Sequence, residues 1–332
     1  MLYQRAHRPL RTRRAPPAAL APAALAALFG ALLLAIPGRT VQAQEGEALF
    51  VLLPVGARAV GMGEAVVAQT GGSEQVWWNP AGIMGDSTKE VALHHSQTIV
   101  GQGNTLGVVI PTGHIGALGA SINLLDLGAQ AVTDQSNVQI GTINPLDVAY
   151  VLTYAYAPSQ YVTFGASMKH VEMRISCSGY CADVPLGGTR ANGVDVGTLI
   201  HAVSIPLTVG FAATNLGIGT TGSRPGRLDL GANYRIQAIE RYTDEVEVYA
   251  AASVISTTSL DSLSTRLGAD VVLEKSFHVR AGYIVDRANG SGASIGIGIG
   301  TGRFVFDLAR TFGGVSADTD HPPTYFSLRY LW

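Results

Sequence analysis

Gly292-Ala293-Ser294-Ile295-Gly296 spells Gly-x-Ser-x-Gly, the pattern in which a serine nucleophile for acyl transfer sits on a sharp turn between a strand and a helix. Here Ile295, Ile297 and Ile299 recur at every second position. That predicts an uninterrupted strand and removes the turn the nucleophile needs. Gly296 to Gly302 is glycine-rich, yet it lacks the Gly-x-Gly-x-x-Gly spacing of a phosphate cradle and opens no helix. His94 and His95 are adjacent, and adjacent strand residues face opposite sides, so they do not share a metal ion. Asp147, Asp195, Glu245 and Glu247 read as the polar groups of an enclosed interior rather than as an acid–base pair. Cys177 and Cys181 enclose Ser-Gly-Tyr and predict a local disulfide that pins a loop; no further metal ligands lie near them in sequence. No catalytic set, metal or cofactor is expected.

The elements that must hold these residues are strands. In the last eight residues Phe326, Leu328, Tyr330 and Trp332 share one parity, and Tyr325, Ser327, Arg329 and Leu331 the other. Such an alternating strand with an aromatic end resembles the closing strand of a bacterial outer-membrane barrel. The same period of two runs through Leu146 to Ala157, Arg227 to Ile236, Leu263 to Glu274, Phe277 to Asp286 and Arg303 to Leu308, with one large apolar face and one charged or glycine face. Strands are predicted to begin near Thr88, Asn104, Ile115, Leu146, Tyr161, Asn192, Pro206, Arg227, Val246, Ser262, Phe277, Ala293, Arg303 and Thr324, an even number of about fourteen.

Alternation alone fits a soluble sandwich equally well, but loop lengths separate the two. Pro158 to Gln160, Glu274 to Ser276 and Thr301-Gly302 are tight, whereas Asp126 to Pro145, Ser176 to Ala191, Leu216 to Gly226 and Gly313 to Pro323 are long and polar. Sorted by strand order, nearly all the short turns fall at the end that carries the C-terminus and the long ones at the other. Outer-membrane barrels show this asymmetry between periplasmic and outer ends, and a sandwich has no reason to. The expected fold is all-β: a transmembrane antiparallel barrel of about fourteen strands.

Composition agrees. The chain is 47% hydrophobic and 14% charged, with 40 glycines. After the first 43 residues no apolar run reaches the roughly 18 residues that a spanning helix needs. Residues 1–43 are arranged as a secretory leader: arginines at 5, 8, 11, 13 and 14, an apolar stretch from Ala18 to Ile36, and the small-x-small site Val41-Gln42-Ala43. Removing them lowers Lys+Arg from 22 to 16 against 24 Asp+Glu, a net charge of −8. Export with an acidic balance excludes a nucleic-acid partner. Residues 44–86 are expected to form a segment inside the barrel wall of residues 87–332.

The reason is glycine. Gly165, Gly210, Gly231, Gly268, Gly282, Gly296, Gly298 and Gly300 fall on the inward parity. Glycine weakens a sheet unless another backbone approaches closely, so the preceding segment is expected against that wall as a plug. Gly56 to Ala68 reads as a short helix of small residues. Arg227, Asp229, Arg266, Asp270 and Arg280 are expected as interior charges, and Arg58 and Glu64 are placed to pair with such groups as Asp229, Asp270, Arg266 or Arg280.

The segment Phe50 to Ala68, with Ala57-Arg58 followed by Gly61-Met62-Gly63, and then Trp78-Asn79-Pro80-Ala81-Gly82, resembles the opening of the PorV/PorQ family within the wider group of FadL-like barrels. The resemblance implies a fourteen-stranded barrel with this segment tucked inside, Asn79 and Pro80 shaping the turn to the first strand. For the PorV type it implies a non-enzymatic component of type IX protein secretion, with secretion-system proteins or secreted substrates as partners. FadL-type relatives take up hydrophobic compounds through a gap in the wall. The expectation is a secretion component in outer-membrane lipid, with passive transport of a hydrophobic ligand as the alternative.

Overall fold

The computed structural model describes residues 49–85, 88–181, 188–218, 226–237, 243, 245–258, 263–286, 290–314 and 322–332. The leader expected at residues 1–43 lies outside them. Fifteen strands follow one another: β1 (Glu90–Gln97), β2 (Gln102–Pro111), β3 (Ala117–Asp126), β4 (Gln130–Thr133), β5 (Gln139–Ser159), β6 (Val162–Gly179), β7 (Thr189–His201), β8 (Leu207–Leu216), β9 (Arg227–Arg235), β10 (Val246–Thr257), β11 (Leu263–Leu273), β12 (Phe277–Asp286), β13 (Gly292–Thr301), β14 (Phe304–Gly313) and β15 (Thr324–Leu331).

Every ladder is antiparallel. β1 pairs with β15 from Glu90↔Leu331 to Gln97↔Thr324, and β3 pairs with β5 from Ala117↔Ala155 to Asp126↔Leu146. The sheet therefore closes on itself through fourteen strands, with β4 outside the ring as a short addition to the first residues of β5. Closure leaves no unpaired edge around the ring, the condition a sheet must meet to stand in hydrocarbon.

The alternation sends the large apolar residues outward. Leu93, Leu152, Leu230 and Ile295 are each 55–57% exposed. Phe277, Val279, Ala281, Tyr283 and Val285 line up on the outer face of β12. Eight residue steps at ~3.3 Å, tilted by ~40°, make an apolar belt roughly 20 Å tall before its rims are added. Phe304, Phe306, Tyr330 and Trp332 form a run of ring contacts, with centroids 5.1–6.5 Å apart, at the end where β15 finishes. That is an aromatic girdle.

Most turns at this end are short, the ten residues from β9 to β10 excepted; Glu274 and Lys275 adopt left-handed φ of 48° and 58° to make one of them. At the opposite end β5 and β6, 21 and 18 residues long, run well past the belt, and Cys177 is bonded to Cys181 where β6 finishes beside the first residues of β5. Much of the stretch expected as a loop from Asp126 to Pro145 is therefore strand: β4 and the first residues of β5. Residues 219–225 and 315–321, within the expected loops Leu216 to Gly226 and Gly313 to Pro323, lie outside the described residues.

Among the described residues the wall has register shifts at three places only: between β4 and β5, between β5 and β6 beyond Tyr156, and between β7 and β8 around Asp195. From β8 through β15 to β3 the ladders are continuous among the described residues.

Candidate functional site

Residues 49–85 occupy the interior. A 3-10 turn (Leu49–Leu52) leads into α1 (Ala57–Gly61), then α2 (Gln75–Trp78) and a second 3-10 turn (Pro80–Ile83). The helix expected from Gly56 to Ala68 is thus only its first part. Gly63 and Glu64 turn left-handed at φ 60° and 61° and end it. Met62, Val66 and Asn79 are fully buried.

The glycines of the wall make room for this segment. A β-carbon on Gly296 would press on the Gly61 Cα, one on Gly268 on the Met62 carbonyl, and one on Gly210 on the Val67 carbonyl. One on Gly165 would meet the backbone at Pro80-Ala81, and one on Gly197 the Asn79 side chain. Gly231 faces Val67. Gly298 instead accommodates the Arg280–Asp307 pair, and Gly300 touches nothing closer than 3.7 Å. Glycines on β6, β8, β11 and β13 thus seat the segment backbone against backbone, where side chains would hold it off.

Polar contacts fix its position. Arg58 donates to Glu74 and to the Gly71 carbonyl, so its partner lies within the segment and is not the wall charge expected for it. Burial alone would raise the Glu74 pKa. The guanidinium of Arg58, then that of Arg329, outweigh this and hold the carboxyl below its ordinary value. Glu64 does meet a wall charge, Arg266. Asn79 lies deep in the segment rather than in the turn before β1. Its amide donates to the Val67 carbonyl at 2.6 Å, and its oxygen accepts from the Ala81 nitrogen at 3.1 Å, capping the turn that Pro80 opens.

The remaining expected charges pair along the wall. Arg227 stacks on Trp78, 5.0 Å from its centroid, with Asp229 at 4.0 Å. Asp270 accepts from Arg280, which also donates to Asp307 at 2.6 Å; Arg329 donates to Asp307 at 3.0 Å. Lys169 meets Asp195 at 3.0 Å and Asn215 at 2.7 Å. Glu74, Glu90, Lys169, Asp307 and Arg329 were not singled out as sites from the sequence, although the inward parity of Asp307 and Arg329 marks them. Of the four carboxylates assigned to the interior, Glu245 precedes β10 and is exposed, and Glu247 pairs with Arg235.

No nucleophile geometry forms at Ser294: its hydroxyl accepts from the Gly63 nitrogen at 3.1 Å inside a continuous strand. His94 is buried against Ser327 at 2.8 Å, while His95 faces outward to Asn104.

At the end away from the C-terminus a cavity of about 500 Å³ opens between the segment and the wall. Leu53 and Val60 line it from the segment, and Ile255, Ile284, Phe312 and Tyr325 from the strands. Glu64, Arg266, Ser264 and Ser294 add polar groups to its lining. Its walls are mostly apolar with a few convergent polar groups, and its size is that of a small-molecule site.

No protein-family model matches the chain, and no curated protein sequence does. Solved structures do. The CymD monoaromatic hydrocarbon channel matches at 14% identity over 86% of this chain and 98% of its own, with a TM-score of 0.57. The toluene transporter TodX of Pseudomonas putida matches at 11% identity over 82% and 95%, TM-score 0.56. A FadL homologue of Pseudomonas aeruginosa matches at 12% over 84% and 98%, TM-score 0.50. The chain therefore has the fold of these FadL-like barrels.

Proposed function

We propose that this protein is a non-enzymatic outer-membrane barrel through which small hydrophobic molecules pass without energy input. The observation that carries the reading is the apolar cavity of about 500 Å³ between the plug and the wall. The belt of outward leucine, isoleucine and phenylalanine side chains supports a bilayer location. That similar barrels are described as a monoaromatic hydrocarbon channel and a toluene transporter supports the ligand class. Residues 1–43 act as the cleaved leader, 44–86 as the plug and 87–332 as the barrel. Protein secretion rests only on the likeness of the N-terminal blocks to PorV/PorQ, and no feature of the cavity favours it over transport.

The test is uptake of radiolabelled toluene and oleate by a Gram-negative host that lacks channels of its own for them. Expression of this chain should raise the initial rate of at least one several-fold over empty vector. Equal rates for both, together with proteins stranded in the periplasm when the gene is deleted from its native host, would reverse the choice in favour of secretion.

A further inference from the structure

We infer that the outward face of β6 and β7, at the upper edge of the belt, holds a phosphorylated lipid of the outer leaflet, with Arg174 and Arg190 on its phosphate. The inference needs the barrel to stand in the outer membrane and is independent of what the cavity carries. Phe164, His170, Glu172 and Arg174 share one parity of β6 and face outward together. β7 sets Asn192 beside His170 and Arg190 beside Glu172, while β5 sets Tyr150 beside His170 and Leu152 beside Met168. Leu152 and Phe164 belong to the belt, 57% and 55% exposed. The eight residue steps from Phe164 to Glu172, at ~3.3 Å each and tilted by ~40°, rise roughly 20 Å. Glu172 and Arg174 therefore stand where hydrocarbon gives way to headgroups.

One carboxylate holds the cluster. Glu172, its side chain 12% exposed, accepts from Arg174 Nε at 2.8 Å, meets Arg190 Nε at 3.3 Å and lies 3.2 Å from His170 Nε2. His170 lies 2.7 Å from Asn192 and stacks on Tyr150, with ring centroids 6.2 Å apart. Both oxygens of Glu172 are thereby taken, yet the side chains of Arg174 and Arg190 stay 54% and 70% exposed. Two guanidinium groups against one carboxylate leave a positive charge here, on a chain whose net charge without residues 1–43 is −8. Arg190 spends only its Nε on Glu172, so its terminal nitrogens keep the planar pair of donors that matches a phosphate. A lipid phosphate at this depth completes the cluster. Its acyl chains run down over Leu152, Phe164 and Val196, contacts that a free phosphate ion lacks.

Native mass spectrometry of the folded barrel in mild detergent tests this. The probes are bis-phosphorylated lipid A, the same lipid stripped of both phosphates, and phosphatidylethanolamine. One lipid A retained per barrel, in preference to the other two and in the presence of excess inorganic phosphate, is the expected result. Arg174→Ala with Arg190→Ala should lower that retention by about tenfold or more, with folding confirmed by gel mobility. Arg190→Ala alone, which removes a side chain that touches only Glu172, should lower it several-fold and serves if the double variant does not fold. Equal retention of the dephosphorylated lipid would overturn the inference, since acyl chains alone would then be bound. Retention unchanged in the variants would overturn it as well, and so would complete displacement by inorganic phosphate, which would mark a site for a soluble anion.

Discussion

A β-carbon on Gly282 would fall less than 3.0 Å from the backbone nitrogen of Gly63, closer than packed atoms come. The wall and the plug are therefore built for each other at the level of main chain. Gly282→Val should push the plug off its seat and destabilise the folded barrel by about 1–3 kcal/mol, the usual cost of overpacking. Gly300→Ala, with its nearest neighbour 3.7 Å away, should change little. The check is the temperature at which the folded band disappears on unheated gels, with trypsin cleavage at Arg58 reporting plug release.

Glu74 is fully buried beside Arg58, so Glu74→Gln should cost about 3 kcal/mol by leaving that guanidinium without its counter-charge. Because the Glu74 carboxyl titrates below its ordinary value, its contribution is complete above the unfolded glutamate pKa and is lost only as pH falls through its own lower pKa. The gap in unfolding temperature between native chain and variant should hold from neutral pH down to the ordinary glutamate range and close below it. A gap already closing between about pH 7 and pH 5 would contradict the assignment.

Ile284 contributes an aliphatic wall to the cavity. Ile284→Trp should fill part of that space and weaken N-phenylnaphthylamine binding about tenfold or more, as a misfit of a few methylenes does in an apolar pocket. Titration of the fluorophore in nanodiscs, with folding confirmed by gel mobility, decides this.

Ile297 is 50% exposed in the middle of the outer belt on β13. Ile297→Lys should destabilise the barrel in lipid by about 2–4 kcal/mol, while Val138→Lys, in the turn before β5 and beyond the belt, should cost close to nothing. Urea unfolding in phospholipid vesicles measures both.

The ring of strands was legible because one face of each is uniformly large and apolar, from Phe277 to Val285 as from Phe326 to Trp332. The glycine wall was legible for the same reason, since glycine on the inner parity has no use without a close neighbour. The first seven residues of β5 were missed: Gln139 to Pro145 lie beyond the belt, where water can meet both faces and the hydrophobic period of two disappears. Charge partners were only partly legible. Parity placed Arg266, Asp270 and Arg280 on the inner face, where Glu64 meets Arg266; that Arg280 and Asp270 meet each other was not read from the sequence. Arg58 found Glu74 because the plug folds back on itself, a path that no strand periodicity encodes. The cavity was not legible at all, being defined by where the plug stops short of the wall.

The most direct measurement is a crystal structure of the barrel grown with bromobenzene, read by bromine anomalous scattering. The account predicts a peak between Leu53, Val60 and Ile284. A cavity without bromine, in a protein that nonetheless speeds hydrocarbon uptake, would contradict it.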